Sequence, residues 1–245
     1  MNIDKNYYQE INKNLTNTIQ DTNISAPNKK VGKVRDAYFL NDKVVMISTD
    51  RQSAFDRVLA AIPYKGAVLN SVSAWWFKKT EHLFPNHLIS TPDPNVSIVE
   101  KCTVFPVEFV VRGYITGTTD TSLWTVYNNG DREYCGNSLP EGLKKNDKLD
   151  KPMLTPTTKD KVHDRPVSRE EIIDLGLMSA EDYDLAAKMS LDLFAFGQET
   201  AKKNGLILVD TKYEIGTDSK GKIKFVDEIH TPDSSRFWIS SSYKD

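Results

Sequence analysis

The chain has 245 residues, 39% hydrophobic and 27% charged, with a formal net charge of −2. That length can fill one large domain or two small ones. The near-balance of charge excludes a global pull toward nucleic acid or a membrane surface, so any anion site must come from local clustering.

No stretch approaches 18 consecutive apolar residues, so no membrane-spanning helix is expected. The first residues, MNIDKNYYQEINKNL, lack the apolar core of a secretory signal. Two cysteines, Cys102 and Cys135, cannot make a disulfide framework or a four-ligand zinc site. These features predict a cytoplasmic protein with reduced thiols.

The first half reads mostly as short strands. Residues 33–40 and 43–48 flank Asn41-Asp42, a two-residue hairpin signal. Residues 70–83 (NSVSAWWFKKTEHL) predict a helix ended by Pro85, and the β-branched run 104–114 a buried strand. Residues 128–151 are polar and rich in turn formers, which predicts a loop or hairpin excursion.

The second half is more helical. Ser168 caps SREEIIDLG, with Glu170 and Glu171 in the first turn and Gly176 past the end. Ser179 opens the longest helix, which Gly205 stops. Its Tyr183, Ala186, Leu193, Phe194 and Gly197 fall near one stripe. LILVDTKYEI and KIKFVDEI follow as strands around GTDSKG. Strands, then helices, then strands, without regular βαβ alternation, predict an α+β fold with a boundary near residue 107.

The last hairpin carries the most chemistry. Alternation puts Asp210, Lys212 and Glu214 on one face of their strand. Folding the hairpin symmetrically about Asp218-Ser219 sets 214 opposite 223, 212 opposite 225 and 210 opposite 227. Asp227 then joins the charged face and Glu228 takes the other; a slip of one residue would exchange them. Two readings fit such a face. One is a solvated sheet surface with cross-strand ion pairs. The other is a site where clustered carboxylates hold a hard cation such as Mg²⁺ together with substrate phosphates. The adjacent DSSR favours the second, because Arg236 suits bidentate capture of phosphate or carboxylate.

Elsewhere, Gly32, Lys33 and Arg35 open a strand without the P-loop pattern. STDRQSAFD (48–56) and VVRGYITGT (110–118) both leave apolar strands through polar groups. MLTPTTKDKVHD (153–164) offers threonines, Lys159 and His163-Asp164. His82 and His87, five apart across Pro85, have poor metal-ligand spacing.

GKVRDAYF, STDRQSAFD, PVEFVVRGYITGT, TPTTKDKVHD, LVDTKYEIG and VDEIHTPDSSRFW, in this order, resemble the phosphoribosylaminoimidazole-succinocarboxamide synthase (SAICAR synthetase) family. The resemblance runs from about residue 30 to 240. It implies ligation of L-aspartate to the carboxylate of carboxyaminoimidazole ribonucleotide (CAIR), with ATP converted to ADP and phosphate. It also implies an α+β fold of two lobes: a small N-terminal antiparallel sheet lobe (1–107) and a larger ATP-grasp-like lobe (108–245), with ATP between them. A stable phosphorylation of some other acceptor, as by a small-molecule kinase, is the alternative. A non-catalytic nucleotide-binding module is disfavoured because Lys33, Lys212, Glu214 and Asp227 are all present.

Carried over residue by residue, the resemblance implies that Lys33, Arg35, Glu108, Lys159, Glu214 and Asp227 meet ATP. In that set, Glu108 belongs to the adenine-facing hinge PVEFV, and Glu214 and Asp227 are the Mg²⁺ ligands. Arg112, Thr118, Lys212, Asp233, Ser234 and Arg236 are implied for substrate, with Asp50 and Ser53 on a wall that also holds Arg51 and Asp56. Lys212, Asp210 and Arg236 are implied as catalytic. No nucleic-acid or membrane partner is implied, and homo-oligomerisation stays open.

Overall fold

A computed structural model of the chain describes residues 5–26, 28–54, 57–159 and 165–243. Phe55, Asp56, His163 and Asp164 lie outside the described residues. The chain divides into two compact units: residues 1–79 with 87–101, and residues 80–86 with 102–245. The boundary expected at 107 falls inside a continuous strand of the second unit.

The first unit holds α1 (Lys5–Lys13), β1 (Lys29–Val31), β2 (Arg35–Phe39), β3 (Lys43–Ser48), β4 (Arg51–Ala54), β5 (Arg57–Ala61), α2 (Lys65–Thr80), β6 (Leu88–Asp93) and β7 (Val96–Glu100). Five strands form an antiparallel sheet in the order β1-β2-β3-β7-β6. The Asn41-Asp42 turn joins β2 to β3 as expected, closed by a hydrogen bond from Leu40 N to Lys43 O. STDRQSAFD does not simply leave a strand: Arg51–Ala54 pairs with β5 in a small separate hairpin.

The second unit holds β8 (Thr103–Tyr114), α3 (Leu123–Asn128), β9 (Glu133–Tyr134), β10 (Asn137–Ser138), β11 (Lys148–Leu154), β12 (Thr157–Thr158), α4 (Arg169–Asp174), α5 (Ala180–Lys203), β13 (Leu206–Thr217), β14 (Ile223–Val226) and β15 (Ser235–Ile239). Ser168 and Glu171 form a reciprocal capping box at the start of α4. Ser179 caps α5 through Asp182 N. All five residues of the predicted α5 stripe are buried.

The second sheet is antiparallel in the order β11-β8-β13-β14, with β12 also on β8 and β15 also on β13. Its two faces differ as period-two alternation requires. On β8, Val107, Phe109 and Val111 are fully buried, whereas Glu108, Val110 and Arg112 between them are half-buried. The Phe109 and Tyr183 rings meet at 5.7 Å, so α5 covers the apolar face. The polar face is left to carry chemistry.

Among the described residues, no helix is long and apolar enough to cross a membrane.

Candidate active site

The site grows from β13, the best-paired strand of its sheet. On one side β13 pairs with β8, setting Asp210 opposite Arg112, Lys212 opposite Val110 and Glu214 opposite Glu108. On the other side it changes partner part-way along. β15 pairs with residues up to Thr211, and β14 pairs from Glu214 onward. Residues 227–234 leave and re-enter the sheet at this gap. There Lys212 N donates to Ser234 O at 3.0 Å.

The symmetric hairpin expected from the sequence is not the one formed. Glu214 faces Val226 rather than residue 223, an offset of three. The cause is a longer turn built by Asp218, whose Oδ1 accepts N–H groups of Lys220 and Lys222 at 2.9 Å each. Asp218 N then closes the turn on Lys222 O at 3.0 Å. Asp210 therefore faces Arg236 of β15, not residue 227.

Asp227 still reaches the charged cluster, by a different route. It ends β14 in the left-handed region, φ 62°, which breaks the strand's alternation. Its charge acts on Lys212. Glu228 turns inward elsewhere: it is buried, and its Oε2 accepts from Thr231 Oγ1 at 2.5 Å.

Lys212 is the hub. Its Nζ lies 2.8 Å from Glu214 Oε1 and 3.0 Å from Glu108 Oε1. Burial disfavours its charge, but Glu214, Asp227 and Glu108 outweigh that and push its pKa up. Glu214 shows the reverse. Burial raises its pKa, yet the ammonium groups of Lys212 and Lys159 hold it down near about 2. Lys159 pairs directly with Glu214 Oε2. The TPTTK lysine and the DTKYE lysine thus grip one carboxylate from its two oxygens.

One turn of the pleat away, a second cluster forms. Asp210 Oδ2 lies 3.4 Å from Arg236 Nη1 and 3.9 Å from Arg112 Nη1. That oxygen is buried and accepts no hydrogen bond. Burial pushes the Asp210 pKa up, more than the two guanidiniums lower it. Arg112 is steadied by Thr155 Oγ1, which its Nε reaches at 2.9 Å. Arg236 is more exposed than Arg112.

The DSSR turn supports this cluster from its edge. Ser234 N donates to Thr231 Oγ1 at 3.1 Å, and Thr231 N donates to Ser234 Oγ at 3.2 Å. Asp233 is exposed on the same turn. Thr118 stands exposed beyond the end of β8, past Gly117.

In the first unit, Lys33 is exposed and Arg35 half-buried at the start of β2. Ser53 is half-buried in β4. Asp50 is 3% exposed, and its two oxygens accept the N–H groups of Ile19 and Gly66, each at 2.9 Å. Its carboxylate is thereby committed to holding the backbone.

Sequence reasoning gave Glu108 only a hinge role and missed its ion pair with Lys212. The signal was present: E-x-V-x-R on β8 mirrors D-x-K-x-E on β13, and antiparallel pairing of the two sets Arg112 opposite Asp210 and leaves Lys212 diagonal to Glu108, between two facing carboxylates. Thr155, the support of Arg112, carried no comparable signal.

Hard carboxylate donors, Glu214 and Asp227, share Lys212 as neighbour, and among the described residues no three acidic or His/Cys side chains form a metal cage. That set fits a cation bringing phosphate and water as its other ligands, as Mg²⁺ does.

Comparison with known proteins gives one consistent family. A family model described as SAICAR synthetase matches residues 28–245. A protein of Legionella pneumophila (strain Lens), named phosphoribosylaminoimidazole-succinocarboxamide synthase, is 58% identical over 227 residues, covering 93% of this chain and 73% of its own. A solved structure described as the SAICAR-synthase from Saccharomyces cerevisiae complexed with SAICAR superposes with a TM-score of 0.81 at 33% identity, over 92% of this chain and 81% of that one. Another, described as a SAICAR synthetase in complex with ADP, gives 0.75 at 27% identity, over 89% and 86%.

Proposed function

The chain belongs to the SAICAR synthetase family, and from that premise we propose that the Lys212 and Asp210 clusters form its reaction centre. The enzyme ligates L-aspartate to the carboxylate of CAIR, giving SAICAR, ADP and phosphate in purine biosynthesis. The observation that carries the assignment of the centre is Lys212 held between Glu108 and Glu214 in a chain so closely related to SAICAR synthases.

A carboxylate is a poor electrophile, so joining it to an amine requires activation. In the proposed sequence, a CAIR carboxylate oxygen attacks the γ-phosphorus of ATP and ADP leaves. The α-amine of aspartate then attacks the acyl carbon, and phosphate departs with that oxygen. The amine gives up a proton in the second step.

The side chains fit these demands. Lys159 and Lys212 supply positive charge where transferring phosphoryl oxygens need it. Glu214 and Asp227 would hold Mg²⁺, which supplies charge neutralisation for phosphoryl transfer. Glu214 is ionised across the physiological range because two lysines hold its pKa down. Arg112 and Arg236 offer guanidinium forks for the carboxylate and phosphate of CAIR, with Thr118, Asp233 and Ser234 at the rim. Asp210, whose unbonded oxygen and raised pKa suit proton acceptance, takes the proton from the amine. Lys33 and Arg35 contact the ATP phosphates, and Ser53 lines a substrate wall. Orientation and electrostatics then carry most of the rate.

The experiment supplies ATP, Mg²⁺ and CAIR with and without L-aspartate, following ADP and SAICAR. Both products should depend on aspartate in equal amounts. ADP formed at full rate without aspartate, and no amide product, would overturn the ligase reading in favour of a kinase.

A further inference from the structure

Arg51 is almost fully buried in the first unit, 8% exposed, and its guanidinium touches four acceptors. Its Nε donates to Lys33 O at 3.1 Å, and Nη2 donates to Gly32 O at 3.0 Å. Nη2 also meets Asp36 Oδ1 at 2.7 Å, while Nη1 donates to Gln20 O at 2.5 Å. The anchor behind it is a fully buried carboxylate. Asp36 Oδ2 accepts from Thr22 Oγ1 at 2.7 Å and pairs with Lys29 at 3.1 Å. Asp50, next in the chain, ties the same N-terminal segment through Ile19 N.

Two consecutive carbonyls, those of residues 32 and 33, are thus drawn to one cation. The peptide unit is planar, and no bond among the described residues is cis. In a trans unit the N–H points away from the C=O. The N–H groups of Lys33 and Val34 must therefore face the side of the turn opposite Arg51. Two successive N–H groups presented together form a concavity for an anionic oxygen. The turn itself depends on Gly32, whose N donates to Arg35 O at 2.8 Å. A Cβ at that position would lie 2.7 Å from the same oxygen. The exposed Lys33 side chain adds positive charge at this turn.

We propose that Arg51 is a positioning residue for the nucleotide: from behind the Gly32–Val34 turn it orients two peptide groups so that their N–H groups receive a phosphate of ATP. Arg51 itself does not touch the nucleotide. This rests on the reading that the Lys33 turn meets ATP, and it gives the arginine of STDRQSAFD a role distinct from a substrate wall.

The test measures steady-state kinetics and, separately, MgADP binding by calorimetry without CAIR or aspartate. Arg51→Lys keeps the charge but loses the planar fork that spans both carbonyls. It should raise the KM for ATP and the Kd for ADP about tenfold, the scale of losing one charge-assisted hydrogen bond. The KM values for CAIR and aspartate should stay unchanged. Asp36→Asn, which loosens the anchor of Arg51, should shift the same two constants in the same direction and carries the test if Arg51→Lys does not fold. A lowered melting temperature with nucleotide constants unaltered in these variants would overturn the proposal, because a purely structural arginine behaves that way. Lys33→Ala separates the two levels. If it raises the KM for ATP while Arg51→Lys and Asp36→Asn do not, the positioning role fails and the nucleotide reading stands. If none of the three alters nucleotide constants, both fail.

Discussion

Lys212 and Glu108, 104 residues apart in the chain, meet at 3.0 Å across the β8–β13 pair. The ammonium also holds Glu214, so one cation balances carboxylates from two strands. Lys212→Met should abolish turnover and lower unfolding free energy by about 3 kcal/mol, since partners of a largely buried ion network are left without counter-charge. Urea unfolding checks the second figure. A stability change under about 1 kcal/mol would mean that water replaces the lysine freely.

Asp227 sits at φ 62°, a conformation that Asn adopts as readily as Asp. Asp227→Asn should therefore unfold within about 0.5 kcal/mol of the native protein. Its turnover should be lost, and its binding of Mn²⁺, used as a magnesium probe in calorimetry, should weaken. Activity near that of the unmodified enzyme would remove Asp227 from the metal site.

His230 is fully buried, and burial lowers its pKa from 6.5 to about 3. Between those values the unfolded chain binds a proton that the folded one does not. Stability should accordingly be complete above pH 6.5 and decline as pH falls toward 3. His230→Asn, which tolerates the local φ of 53°, should flatten this decline. Equal slopes for the two proteins in acid titrations of stability would contradict the assignment.

Gly197 lies in α5 where a Cβ would stand 2.5 Å from His230 Cε1 and 2.8 Å from Leu208 Cδ2. Alanine is the better helix former by about 1 kcal/mol, yet Gly197→Ala should destabilise. The collision reaches the buried ring that hydrogen-bonds Tyr213 at 2.5 Å, and overpacking of this kind costs about 1–3 kcal/mol. A net gain in melting temperature would show that His230 can move aside.

Period and capping made much of the fold legible. The α5 stripe, the Ser168 box and the β2–β3 turn all depend on residues near one another in sequence. The charged face of β13 was legible for the same reason, because Asp210, Lys212 and Glu214 alternate. What escaped was register. A five-residue turn set by the Asp218 side chain moves β14 by three positions, and no periodicity within either strand reports this. The left-handed turn at Asp227 nonetheless brings its charge to bear on Lys212. The sequence marks Asp50 and Arg51 only as polar groups on a wall; their bonds to backbone groups of distant segments leave no trace in side-chain patterns.

β13 is bonded along both edges, to β8 on one and to β15, Ser234 and β14 in turn on the other. The residues proposed to perform chemistry are therefore mounted on the part of this sheet that opens last. In deuterium exchange, the amide protons of residues 210–215 should be among the slowest to leave, disappearing only when the second unit unfolds as a whole.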